Sequence, residues 1–244
     1  MQATFSSYDL TKSVQRIDEI IAAKDEAIEE VDTIPSRDRL TFTNGFYVNC
    51  SALFIDIRGS SDLADKHRRP KLARLYRSFL SECVAVMNGS LWCAEVDIVG
   101  DCVSGIFNGE YKSQINDVFS AAARLSSLVD ILNCKYKRAG MEEITVGIGA
   151  SWGRGLMIKA GYSGSGINDV VWMGEVVNEA SRLCSYGNAS WSDAEIMVSD
   201  IFYNNLNENN QKLLTRNSNR SCYHGNVIIP QMNDWYQENC LKKE

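Results

Sequence analysis

Between two strand-like runs, residues 91–99 and 102–107, the chain offers only Gly100 and Asp101. Two residues of this type suit a tight β-hairpin turn, so the runs must be antiparallel neighbours. The surrounding pattern limits the fold further. A strand-like run at 46–57 is followed by helical spacing over 61–87, the hairpin, a helix over 114–138 and a strand over 144–151. This βαββαβ order is the ferredoxin-like plan, an α+β fold with an antiparallel-rich sheet and helices on one face. A second extended arm at 155–161, a short strand at 169–172 and a helix at 175–186 are predicted beyond it. Val14, Ile17, Ile20, Ile21, Ile28 and Val31 recur at helical spacing ahead of it, predicting an N-terminal helix that stops at Ile34-Pro35. A linker follows over 36–44.

That topology brings the end of the first strand and the hairpin turn to the same edge of neighbouring strands. Each of these strand ends carries a carboxylate, Asp56 and Asp101, beside glycine. A carboxylate ending a run such as Leu53-Phe54-Ile55-Asp56-Ile57 needs a cation or donors around it. Paired carboxylates of this kind can clamp divalent ions ~3.5–4 Å apart for in-line attack on phosphate. On the helix at 175–186, Asn178 and Arg182 are four apart and share one face, where an amide and a guanidinium can hold a ribose and stabilise phosphate charge.

Other chemistries are excluded. The 244 residues carry a net charge of −6, which supplies no field for nucleic acid. Nothing approaches the ~20 apolar residues needed to span a bilayer, and the N-terminus lacks the basic-then-apolar pattern of a signal peptide. A soluble cytoplasmic protein with no membrane partner is expected. Two histidines, His67 and His224, lack a second ligand at helical or turn spacing, which excludes a histidine zinc site or a Ser-His-Asp triad. Eight cysteines form no CxxC pair; Cys50, Cys83, Cys93, Cys102, Cys134 and Cys184 fall mostly in apolar segments and are expected to be buried reduced thiols.

The run Phe54-Ile55-Asp56-Ile57-Arg58-Gly59-Ser60-Ser61, then Val99-Gly100-Asp101, then Gly174 with Val177-Asn178-Glu179-Ala180-Ser181-Arg182 resembles the class III nucleotidyl cyclases. The resemblance extends over residues 47–199. It implies residues 1–45 as an N-terminal helix and linker, 46–244 as the catalytic domain, and a divergent C-terminal α/β part at 200–244. It further implies two Mn2+ or Mg2+ ions held by Asp56, Asp101 and the Ile57 carbonyl. The turn through Gly59, Ser60 and Ser61 would bind the triphosphate, Asn178 would orient the ribose, and Arg182 would stabilise the α-phosphate. In that family the aspartates come from one subunit and the Asn/Arg pair from the other, so a homodimer with two shared sites is implied. Lys159, Lys212, Arg216 and Arg220 remain open as ligands of the outer phosphates. Gly153-Arg154-Gly155 and the stretch 161–166 fit either a phosphate loop or a hairpin arm.

The two base-contacting positions of the family fall on Asp97 and Val171. Asp97 can accept from N3–H of uracil or from the amino group of cytosine, does not by itself exclude guanine, and cannot donate to adenine N1, while Val171 supplies no polar contact. Segments 32–37, 40–46 and 56–61 are similar to the pyrimidine cyclases of bacterial Pycsar anti-phage systems. That resemblance implies a uridylate or cytidylate cyclase, with UTP favoured over CTP, whose cyclic nucleotide acts on a separate effector protein. The alternatives are an adenylate or guanylate cyclase and an inactive nucleotide-binding module.

Overall fold

The computed structural model of the chain describes residues 2–3, 5–163 and 166–241. Its first helix, α1 (Leu10–Ile21), is capped by Asp9, whose side chain accepts from the Lys12 N–H. The N-terminal helix is thus shorter than its apolar spacing predicts. Ile28 and Val31 lie instead in a strand, β1 (Ile28–Val31), which runs parallel to the start of β2 (Gly45–Ile57). Beside β2 the β-branched residues fit a pleated surface and the backbone finds ladder partners, and this outweighs a helical spacing that Ile28 and Val31 satisfy equally well. The segment between β1 and β2 is fixed to the domain: the Ile34 N–H donates to Asn108 Oδ1 at 2.9 Å, and Leu40 is buried with Phe46 and Met157.

After β2 come α2 (Ser60–Lys66), α3 (Arg69–Asn88), β3 (Cys93–Val99), β4 (Cys102–Asn108), α4 (Lys112–Arg138) and β5 (Val146–Tyr162). The strands stand in the order β3-β4-β2-β5, all pairs antiparallel, which is the ferredoxin-like order. The predicted strand and arm at 144–151 and 155–161 are one continuous strand, because Gly153 and Gly155 keep the ladder opposite Cys50 and Val48. The far half of β5 carries β6 (Ile167–Met173) as an antiparallel arm. Of the glycine-rich stretch 161–166, Gly164 and Ser165 lie outside the described residues.

The chain continues through α5 (Glu175–Tyr186), β7 (Ile196–Val198), α6 (Asp200–Asn205), α7 (Glu208–Gln211), β8 (Thr215–Asn217), β9 (Cys222–Gly225) and α8 (Pro230–Tyr236). β7 joins β5 in parallel, and β9 and β8 follow it, so the C-terminal part extends the same sheet.

Strand alternation sorts β2 into two faces. Leu53, Ile55 and Ile57 point into a core with Phe79 and Met87 of α3 and Phe119 and Leu125 of α4. Cys50 and Ala52 point the other way, against Val176 and Ala180 of α5. Helices therefore cover both faces, where the sequence predicts one. The approach of α5 is backbone to backbone: a Cβ on Gly149 of β5 would lie 2.1 Å from the Ala180 carbonyl oxygen, and one on Gly147 2.1 Å from that of Cys184. Asp56, by the same alternation, falls on the α5 side.

Cys134 departs from the expected free thiols. It is disulfide-bonded to Cys240, joining the end of α4 to the C-terminal turn. The partners are 106 residues apart, a pairing that no local spacing announces. Cys50, Cys83, Cys93, Cys102, Cys184 and Cys222 are free, and four of these, Cys50, Cys83, Cys184 and Cys222, are buried.

Candidate active site

The β2–β4 ladder pairs Ile55 with Val103, so Asp56 reaches the level at which β3 and β4 turn into one another. Gly100 takes φ +65° in that turn, a conformation L side chains rarely adopt, and Asp101 follows it. The Asp101 Oδ2 is buried without a hydrogen-bond partner. Burial and the neighbouring Asp101 charge raise the Asp56 pKa, while Arg58 and the Ile57 N–H pull it back. Two carboxylates that destabilise one another, one with an orphaned oxygen, fit a bound cation. The donors are all hard oxygens, since the Ile57 side chain is buried in the core and only its backbone can ligate. Among the described residues no cage of three or more His, Cys, Asp or Glu side chains forms. Such a set suits Mg2+ or Mn2+, which take few carboxylates and complete their shell with water and substrate phosphate. Burial first, then Asp56 and Asp101, push the Cys102 thiol up to about 12, and soft sulfur suits Mg2+ or Mn2+ less well than these oxygens do.

Two residues after Ile57, Gly59 adopts the left-handed conformation (φ 62°, ψ 33°) and accepts from the Asp62 N–H at 3.0 Å, starting α2. Ser60 and Ser61 open the helix, and the Tyr76 hydroxyl donates to the Ser60 carbonyl at 3.3 Å.

Asp97 lies elsewhere on the α5 side of the sheet. It lines a cavity of about 470 Å³ together with Phe54, Glu95, Val171, Trp172 and Val177, so the structure brings Asp97 and Val171 to one pocket. Asp97 is exposed, and its Oδ1 accepts from the Ile98 N–H at 2.9 Å.

Asn178 and Arg182 occupy one exposed face of α5, one turn apart. Arg182 Nε donates to Glu179 Oε2 at 3.0 Å, and Arg182 borders a second cavity, of about 540 Å³, with Trp152, Arg154 and Asp200. The charges that perturb Asp56 are Asp101 and Arg58; Arg182 is perturbed by Glu179 and Tyr186. Asp56 and Asp101 are not among the residues that line the cavity beside Arg182.

Two arginines were not legible as site residues. Arg58 donates from Nη2 to Asp56 Oδ2 at 3.2 Å and from Nη1 to the Ser185 carbonyl at 2.9 Å, and its Nε is buried without a partner. Its place inside the 54–61 run was the only available signal. Arg37 donates to Glu95 and Asp169, which are 58 and 132 residues away and beyond any spacing argument. Among the basic residues left open, Arg216 is paired with Asp200 and Arg220 with Asp193, and Lys159 lies over Phe42.

The family described as "Adenylate and Guanylate cyclase catalytic domain" matches residues 43–227. A uridylate cyclase from Gulbenkiania mobilis is 40% identical over 98% of this chain and 100% of its own length. Another uridylate cyclase, from Treponema porcinum, is 35% identical over 97% of this chain and 84% of its own. Among solved structures, the adenylyl cyclase CyaB from P. aeruginosa superposes with a TM-score of 0.60 at 21% identity, covering 70% of this chain and 85% of that one, a likeness of fold.

Proposed function

The chain belongs to the family of adenylate and guanylate cyclase catalytic domains and is a nucleotidyl cyclase, and we propose that it converts UTP to 3′,5′-cyclic UMP and pyrophosphate. The observation that carries this reading is the near full-length similarity to two uridylate cyclases in a chain whose base pocket holds Asp97 and the apolar Val171.

In this reading Asp56, Asp101 and the Ile57 carbonyl would hold two Mg2+ or Mn2+ ions, whose charge would lower the pKa of the ribose 3′-hydroxyl and offset the charge of the departing pyrophosphate. The Gly59-Ser60-Ser61 turn carries the triphosphate beside them. O3′ bonds to the α-phosphorus as the bond from that phosphorus to the bridging oxygen of the β-phosphate breaks, and the hydroxyl proton passes to solvent. Asn178 orients the ribose, and Arg182 stabilises the charge that builds on the α-phosphate. Asp97 accepts from uracil N3–H.

Two copies supply these groups. The likeness to class III cyclases, together with an Arg182 cavity that the carboxylates do not line, supports a head-to-tail homodimer in which the Asn178–Arg182 face of one copy meets the carboxylates of the other at two equivalent sites. No described helix is long and apolar enough to cross a membrane, and we place the enzyme in the cytoplasm with its nucleotide substrate. The similarity of segments 32–37, 40–46 and 56–61 to Pycsar cyclases supports a role in anti-phage defence, with cyclic UMP acting on a separate effector.

Incubation with ATP, GTP, CTP and UTP separately, in Mn2+ or Mg2+, followed by mass spectrometry, tests the reading. Cyclic UMP as the main product is expected. A cyclic purine as the main product overturns the pyrimidine assignment, and no cyclic product from any nucleotide points to a binding module.

A further inference from the structure

Resting on the uridylate reading above, we infer that Arg37 contacts the base and sets the preference for UTP over CTP. Arg37 stands in a short 3-10 turn, Arg37–Arg39, capped by the Ser36 side chain. Its guanidinium spans two strands: Nε donates to Glu95 Oε1 at 2.8 Å and Nη2 to Asp169 Oδ1 at 2.9 Å. Glu95 lies two residues before Asp97 on β3, and Asp169 two residues before Val171 on β6. With a side-chain period of two, each anchor shares a sheet face with one base-contacting position. Arg37, Glu95, Asp97, Asp169 and Val171 accordingly line the same 470 Å³ cavity. The charges converge there, since Arg37, Asp169 and Asp97 all act on the Glu95 carboxyl.

The anchoring leaves Arg37 with donors to spare. Two carboxylates take Nε and one hydrogen of Nη2, out of the five N–H groups that a planar guanidinium presents. The Glu95 side chain is only 15% exposed, and that of Arg37 is 56% exposed, so the anchor is sheltered while the fork remains open to the cavity. Backbone ties on either side, from the Ile34 N–H to Asn108 and through buried Leu40, hold the segment as a fixed wall.

A cationic donor beside the Asp97 acceptor matches one base edge. Uracil presents N3–H to Asp97 and an adjacent carbonyl to Arg37. Cytosine in the same pose presents the unprotonated N3 to the carboxylate and the N4 amino group to the guanidinium, so acceptor faces acceptor and donor faces donor. A site that satisfies one edge and leaves polar groups mismatched on the other discriminates more strongly than apolar fit does.

The test compares kcat/KM for UTP and CTP in the full-length wild-type protein and in Arg37→Ala, Arg37→Lys and Glu95→Gln. Arg37→Ala is expected to lower kcat/KM for UTP about tenfold or more, chiefly through KM, as for loss of a charge-assisted hydrogen bond. CTP turnover should stay level or rise, so the UTP-to-CTP ratio falls at least about tenfold, with partial recovery in Arg37→Lys. Glu95→Gln, which loosens the anchor without removing the cation, should move the ratio in the same direction by less. A residue that merely latches the wall would cost both nucleotides equally. Equal losses in Arg37→Ala, an unchanged ratio in both the Ala and Gln variants, or a wild-type preference for CTP overturn the inference. A wild-type chain that makes no cyclic UMP overturns the uridylate reading beneath it.

Discussion

Arg58 donates to Asp56 Oδ2 at 3.2 Å and to the Ser185 carbonyl at 2.9 Å, so one guanidinium joins a candidate metal carboxylate to the last turn of α5. A cation already seated on that carboxylate competes with an incoming one. Arg58→Ala is therefore predicted to tighten Mn2+ binding by about three- to tenfold, the scale of ~1 kcal/mol for a partly solvated charge pair. Titration followed by the paramagnetic resonance of free Mn2+ measures it. Unchanged or weaker binding would show that Arg58 orients Asp56 and does not compete for it.

Asp101 carries a buried carboxylate oxygen with no partner, a cost the metal-free fold bears. Asp101→Ala is predicted to abolish turnover and, in EDTA, to stabilise the protein by about 1 kcal/mol, or roughly 2–4 °C in Tm. Loss of activity accompanied by a fall in Tm would assign Asp101 to structure.

Asp56→Ala and Arg182→Ala each remove one half of the proposed composite site. Alone, both chains should be folded and inactive. Mixed in equal amounts, they should recover about a quarter of wild-type activity, because half of the dimers formed at random carry one intact site of two. Absence of recovery from two folded variants would place the whole site within one chain.

Glu195 predicts a pH dependence of stability away from the site. Burial first, and Asp130 next, raise its carboxyl from 4.5 to about 7. Between those two values the folded chain binds more protons than the unfolded one, so this group's contribution to stability falls as pH rises from about 4.5 to about 7 and is level above that. Glu195→Gln should flatten that part of a Tm–pH profile and raise Tm at pH 8. A profile that keeps its slope in the variant would assign the titration to another group.

The βαββαβ core was legible because its signals are local: the two-residue hairpin, the strand-like run at 46–57, and the helix at 175–186, which the structure reproduces as Glu175–Tyr186. The N-terminal strand was not, since Ile28 and Val31 satisfy a helical period, and only the neighbouring β2 edge decides between the two. The second helical layer was hidden for a related reason. α5 rests on the backbone of Gly147 and Gly149, a close approach that exists only in the folded chain. Cys134 and Arg37 find partners 106 and up to 132 residues away, and such pairings exist only in the folded chain.

At Gly147 and Gly149 the backbone of β5 meets the backbone of α5, with no Cβ on the strand side to yield. Within a chain, the offset between Arg182 and Asp56 is then built in like the spacing of two teeth on one gear. In the proposed dimer, the distance from the carboxylates of one copy to Arg182 of the other would follow the tilt between the copies, and both sites would open or close together.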